Sequence, residues 1–188
     1  MGDVFGLEYE ALSADPRFST LAQALGAHTE IDSASAFNHF CRDACRLWNE
    51  QFGEGIGETS MEFADLLTRI MRGGDDVIVT SWGGVVITLH EHPHVEKYLV
   101  IRRGGYLALE KHALKDEYLE VREGAGVILW RRDANATLTV QALLPSERFH
   151  FEPGREHCLI GTENLLVFER SIDPKGMDQD LIFLYEPD

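Results

Sequence analysis

The chain has 188 residues, with 17 Lys+Arg against 32 Asp+Glu and a formal net charge of −15. Such a length suits one domain of about 100–200 residues, and 44% hydrophobic with 26% charged residues is enough to bury a core. The acidic balance opposes phosphate backbones and anionic lipid, which excludes nucleic acid and membrane surfaces as partners. A phosphorylated small molecule stays open, because a pocket's local charge can oppose the net charge.

The opening stretch MGDVFGLEYEALSADP has no basic segment leading into an apolar one, so no secretory signal is expected. Gly6 stands where a myristoylation motif beginning at Gly2 needs Ser or Thr. No apolar run approaches the roughly 18 residues of a membrane span, and a reducing cytoplasm is the default expectation. Three cysteines, Cys41, Cys45 and Cys158, do not make a disulfide framework, and the first two read as helix-packing residues one turn apart.

A short helix is predicted over 18–25, stopped by Gly26. A longer one is predicted over 35–52, where Phe37, Phe40, Cys41, Ala44, Leu47, Trp48 and Phe52 recur at steps of three and four. Asp32 or Ser33 would cap it and Gly53 would end it. The glycine-rich GEGIGET loop follows no strand and lacks a P-loop lysine, so it is not expected to cradle phosphate. A third helix is predicted over 59–71, with Met61, Phe63, Leu66, Leu67 and Ile70 apolar and Gly73 past its end.

Beyond Gly74 the pattern changes to short β-type runs. Strands are predicted at 77–82, 85–89, 97–102, 106–111, 118–122, 127–131, 137–144, 148–152, 157–160, 165–170 and 181–185. Such spacing suggests an antiparallel sandwich or barrel over 74–188, preceded by a helical region over 1–73.

Eight histidines stand at 28, 39, 90, 92, 94, 112, 150 and 157. His90, His92 and His94 alternate with acids, but Pro93 interrupts the strand, and the run reads as a solvated hairpin tip. A quieter set carries more chemistry. On a strand, Glu110 and His112 close one face, and after a short turn Glu117 begins the next strand beside them. His157 follows a Pro-Gly turn and is a fourth candidate. Two carboxylates and two imidazoles form a mixed O/N set whose charge cancels that of a divalent ion, suited to Zn, Mn, Fe, Ni or Co without choosing among them. Strand-end acids and a turn histidine bonded to backbone are the plain alternative.

The intervals of this set resemble those of the cupin superfamily. Gly104, five residues, Glu110-x-His112, four residues, Glu117, six residues and Gly124 follow the first cupin motif, with Glu110 in place of its first histidine. Gly154 and His157 follow the second motif, with Glu152 for its proline, Ser146 for its leading glycine and Gly161 for its closing Asn. The resemblance implies a mainly β, cupin-type double-stranded β-helix (a jelly-roll barrel) with an α-helical N-terminal extension. Trp82-Gly83 and the LALEKH run narrow the likeness to the cupin domain of mannose-6-phosphate isomerases, over about residues 80–170, with Glu110 for that family's Gln and Lys115 for its Arg.

That likeness implies a metal-dependent aldose–ketose isomerase acting on a sugar or sugar phosphate through an enediolate. Glu110, His112, Glu117 and His157 would hold one divalent transition metal. Glu169, His150 and Lys111 are candidates for the base. Lys115, Arg131 and Arg132 could neutralise a phosphate, although Lys and Arg at strand ends are commonly solvated surface. A non-catalytic sugar- or partner-binding cupin is the alternative, and an Fe(II)-dependent oxygenase is not forbidden by the ligand set. The family also implies a homodimer.

Overall fold

The computed structural model describes residues 3–53, 55–57 and 61–188. Four helices and thirteen strands follow the chain among these residues. The N-terminal part contributes β1 (Phe5–Glu8), α1 (Glu10–Ser13), α2 (Ser19–Leu25), β2 (Glu30–Ile31), α3 (Ala34–Phe52) and α4 (Met61–Arg72). Ser33, rather than Asp32, caps α3: its hydroxyl accepts from the Ala36 N–H at 3.2 Å. Gly53, at φ 60°, ends that helix. The predicted start of the following helix at Thr59 lies outside the described residues. Along α4, Phe63 and Ile70 are buried, while Met61 and Met71 face outward.

The strands are β3 (Val77–Thr80), β4 (Gly83–Glu91), β5 (His94–Ile101), β6 (Leu109–His112), β7 (Asp116–Glu123) and β8 (Gly126–Trp130). After them come β9 (Leu138–Leu143), β10 (Arg148–Phe151), β11 (His157–Ile160), β12 (Leu165–Ile172) and β13 (Leu181–Tyr185). The strand expected from residue 106 starts late: Tyr106 makes a single bridge to Ile160, and regular pairing starts only at Leu109. The strands divide into a seven-stranded sheet, β13-β6-β11-β8-β9-β1-β2, and a six-stranded sheet, β10-β7-β12-β5-β4-β3. They form the two walls of a jelly-roll barrel.

β1 and β2 lie where periodicity predicts no strand. β1 runs parallel to β9, with Leu7 opposite Leu138, so the first residues extend a wall of the barrel. Phe37, Phe40, Cys41, Ala44 and Trp48 of α3 share one buried cluster with Leu129, Val140, Cys158 and Ile160 on the outer face of that sheet. α4 covers the six-stranded sheet through Phe63 and Ile70 against Val86, Val100 and Leu166. Segments 1–73 and 74–188 are therefore held together by common apolar packing. Between the sheets, Leu119, Val121, Ile128, Leu143 and Leu159 are among the residues that fill the middle of the barrel.

The glycine-rich loop also joins helix to barrel. Buried Glu163, after β11, accepts hydrogen bonds from Trp48 Nε1 at 2.9 Å, Ile56 N at 2.7 Å and Gly57 N at 2.8 Å. The loop thus wraps an internal carboxylate.

Gly124, which closes the first motif, has φ 74°, and a Cβ there would stand 1.7 Å from the Asn164 carbonyl oxygen. The left-handed conformation and the backbone clash act together. Gly124→Ala is expected to lower unfolding stability by at least about 3 kcal/mol in urea titration. A loss below about 1 kcal/mol would contradict this account of the turn.

Candidate functional site

A cavity of about 430 Å³ opens between the two sheets, with Trp82, Leu107 and Phe183 on its apolar wall and a charged floor. Strand alternation builds that floor. Glu110 and His112 on β6 turn inward, and Lys111 between them pairs outward with Glu156 at 3.4 Å. His157 on β11 stands opposite Glu110 in the antiparallel register. From the facing sheet come Glu117 on β7, Glu169 on β12 and Lys97 on β5, all buried. Lys115 enters from the β6–β7 turn and Asp178 from the β12–β13 loop.

Both imidazoles are oriented from behind. His112 Nδ1 lies 3.1 Å from Asp180 Oδ1, and His157 Nδ1 lies 3.2 Å from the Arg155 carbonyl oxygen. Each Nε2 then faces Glu117, at 3.7 Å from Oε2 for His112 and 2.7 Å from Oε1 for His157. Metal-binding histidines are commonly held in this way, one ring nitrogen on an outer partner and the other toward the ion. Glu117 Oε1 is buried against the His157 ring, and an ionised carboxylate oxygen has a second lone pair to offer. Glu110, His112, Glu117 and His157 thus bring two carboxylates and two imidazoles to one cavity, donor types that divalent transition metals accept.

A protein ammonium shares this place. Lys115 Nζ lies 2.7 Å from Glu117 Oε2, 2.6 Å from Glu169 Oε1, 2.7 Å from Asp178 Oδ1 and 3.5 Å from His112 Nε2. An ion bound at Glu117 Oε2 and His112 must therefore compete with this ammonium. Lys97 pairs with Asp178 and lies 3.3 Å from Glu169 Oε2.

Burial and charge act in opposition throughout the floor. Burial works against the Lys115 charge, but Glu169, Glu117 and Asp178 outweigh it and hold the amine well above the usual lysine range. Lys115 is thus a fixed cation and hydrogen-bond donor, not a nucleophile. Burial pushes Glu110 up to about 7, with His157 only partly offsetting it. Burial, then Lys115, lower His112. Glu117 overcomes burial and raises His157.

Of the residues proposed from sequence, Glu110, His112, Glu117, His157, Lys115 and Glu169 come together here. Lys111 does not, for it lies on the outer face. His150 sits outside the cavity, 2.6 Å from Asp116 and stacked on Tyr118 with ring centroids 4.1 Å apart. Arg131 is engaged by Glu156 at 2.9 Å, and Arg132 lines a separate, smaller cleft shared with Arg131 and His150. Neither arginine reaches the cavity. The His90, His92 and His94 run is exposed on the β4–β5 hairpin.

Sequence spacing singles out neither Lys97 and Asp178 on the floor nor Asp180 behind His112. Lys97 carried a readable signal, since Val95, Lys97, Leu99 and Ile101 alternate on one buried face of β5. Asp178 carried none. Its loop is turned by Asp173, whose carboxylate accepts from the N–H groups of Lys175, Gly176 and Asp178.

No protein-family model matches the sequence, and no curated protein is detectably similar to it. Solved structures share the barrel. The capsular polysaccharide assembling protein CapF from Staphylococcus aureus matches with a TM-score of 0.50 and 17% identity, over 58% of this chain and 34% of that one. A mutant of Bacillus subtilis oxalate decarboxylase OxdC matches with a TM-score of 0.51 and 11% identity, over 57% of this chain and 30% of that one. This chain thus spans about a third of each of these proteins. The fold is a cupin-type double-stranded β-helix. No described helix is long and apolar enough to cross a membrane.

Proposed function

We propose that the barrel cavity is the active site of a metal-dependent aldose–ketose isomerase of the mannose-6-phosphate isomerase type. The observation that carries this reading is the contact of Lys115 Nζ with Glu169 Oε1 at 2.6 Å, directly beside the His112–Glu117–His157 set. Isomerisation needs a base for the carbon-bound proton and a fixed positive charge for the oxyanion that develops. Glu169 is buried, with Oε1 against Lys115 and Oε2 3.3 Å from Lys97 Nζ. It takes the proton from C2 of the aldose and returns it to C1. The hydroxyl proton passes from O2 to O1, so the reaction balances without an oxidant. Lys115 donates a hydrogen bond to the oxygen on which negative charge grows.

Glu110, His112, Glu117 and His157 would hold the divalent metal. When bound, such an ion supplies Lewis acidity toward the sugar's carbonyl and neighbouring hydroxyl. The sugar we infer for this cavity is unphosphorylated, unlike the substrate after which the mannose-6-phosphate isomerase type is named. The cavity's two lysines, Lys97 and Lys115, already face Glu117, Glu169 and Asp178, and neither Arg131 nor Arg132 is present to take a phosphate.

One observation favours a second reading. Because Lys115 already serves as the cation beside Glu117, the same barrel could bind a sugar without metal or catalysis. Metal content and aldose–ketose interconversion separate the two. His112→Ala and His157→Ala are expected to lose one equivalent of transition metal and at least about 100-fold in interconversion, while circular dichroism stays native. Uptake of metal that neither substitution alters, together with unchanged sugar binding by both variants, would sink the isomerase reading and leave the second.

A further inference from the structure

A second cluster lies on the helical layer, away from the barrel cavity. His28 stands between α2 and β2, and His39 and Asp43 lie one turn apart on α3. Both imidazoles direct Nε2 at the same carboxylate oxygen: Asp43 Oδ2 is 2.9 Å from His28 and 3.3 Å from His39. Their ligand atoms all lie within 4.8 Å of one another. Around a tetrahedral ion with ligands at about 2.0–2.1 Å, neighbouring ligand atoms stand about 3.3 Å apart, so only small side-chain shifts are required.

The surroundings hold these groups in place. Arg46 takes the other oxygen of Asp43, with Nη2 at 3.0 Å and Nε at 3.2 Å from Oδ1, which leaves Oδ2 to the histidines. The His28 ring packs edge-on against Phe40 at 5.5 Å, and its backbone carbonyl accepts the Tyr9 hydroxyl at 2.7 Å. Outer partners of this kind orient ligands at metal sites. His39 is 67% exposed, so solvent can supply the fourth ligand. Two imidazoles and one carboxylate suit a borderline ion such as Zn²⁺ or Co²⁺; Mg²⁺ and Ca²⁺ prefer oxygen alone.

We propose that His28, His39 and Asp43 form a surface site for a tetrahedral divalent transition metal, distinct from the barrel set and tying the α2–β2 segment to α3. The proposal is independent of the isomerase reading, because no residue is shared. Chelator-treated full-length protein would be titrated with Zn²⁺ against a chromophoric chelator, and with Co²⁺ followed by visible absorption. Wild type is expected to take up one equivalent more than either His39→Ala or Asp43→Asn, and a tetrahedral Co²⁺ band should vanish in both variants. Any ion held by the barrel is common to all three proteins and cancels in the comparison. Equal uptake by wild type and His39→Ala would overturn the proposal, as would a Co²⁺ spectrum that His39→Ala leaves unchanged. Because His39 is exposed, its replacement leaves the core intact, and circular dichroism verifies folding in both variants.

Discussion

Replacing Lys115 by methionine is expected to lower the stability of metal-free protein by about 3–5 kcal/mol at neutral pH. The substitution keeps most of the buried volume but leaves Glu117, Glu169 and Asp178 together without the ammonium that touches all three. The pH dependence identifies the cause. In wild type, Glu117 is held well below its usual 4.5 because Lys115 and His157 outweigh burial. Asp178 is depressed by Lys97 and Lys115 against the same opposing burial. Depressed carboxylates contribute stability above their unfolded values, and that stability is lost as pH falls through the folded ones. Lys115 is raised, so its contribution is present below the usual 10.5 and is lost only as pH rises through its still higher folded value.

Without Lys115, burial drives Glu117 and Asp178 upward. The variant's deficit should be largest at about pH 7–8 and should shrink toward about pH 5 as they take up protons. Urea unfolding in chelator across that range measures it. A deficit below about 1 kcal/mol, or one that does not change with pH, would show that Lys115 is not the counter-ion of the cavity floor.

Glu163→Ala is expected to have an effect of similar size on a different part of the molecule. It removes the acceptor for Trp48 Nε1 and for the N–H groups of Ile56 and Gly57, and it opens a void in a buried corner. An orphaned buried donor costs about 1–3 kcal/mol, so the variant should lose about 3–5 kcal/mol. Glu163→Gln should lose less, because its amide oxygen still accepts. Near-ultraviolet circular dichroism would follow Trp48 while urea unfolding gives the total. Equal stability of Glu163→Ala and wild type would show that the loop and α3 are held by apolar packing alone.

Legibility in the sequence followed the reach of each signal. The α3 stripe and the barrel strands stood out because their periods are local. The grouping of Glu110, His112 and Glu117 was readable because they lie within eight residues across one turn between the two sheets, and His157 follows its own turn. β1 and β2 were missed because a four-residue and a two-residue strand carry too little alternation, and their pairing is decided by distant partners. Asp178 was missed for a related reason. It reaches Lys97 and Lys115 by way of an irregular loop whose course depends on Asp173. His150 and Lys111 were misplaced by face: Lys111 alternates with Glu110 and His112, and His150 pairs with Asp116 on the exposed side of β7. Arg131 was drawn away by Glu156, a contact that spacing along the chain could not disclose.

The parallel pairing of β1 with β9 has a consequence for how the chain is made. Glu8 stands opposite Thr139, 131 positions later, so the first strand leaves the ribosome long before its partner exists. The apolar stripe of α3 is in the same situation, because Leu129, Val140, Cys158 and Ile160, which cover it, all come later in the chain. Contacts of such long range form only after the loop entropy between them has been overcome. During synthesis α3 can pack at once on earlier residues such as Phe18 and Leu25, but the side of its stripe that meets the barrel stays open until that wall has emerged.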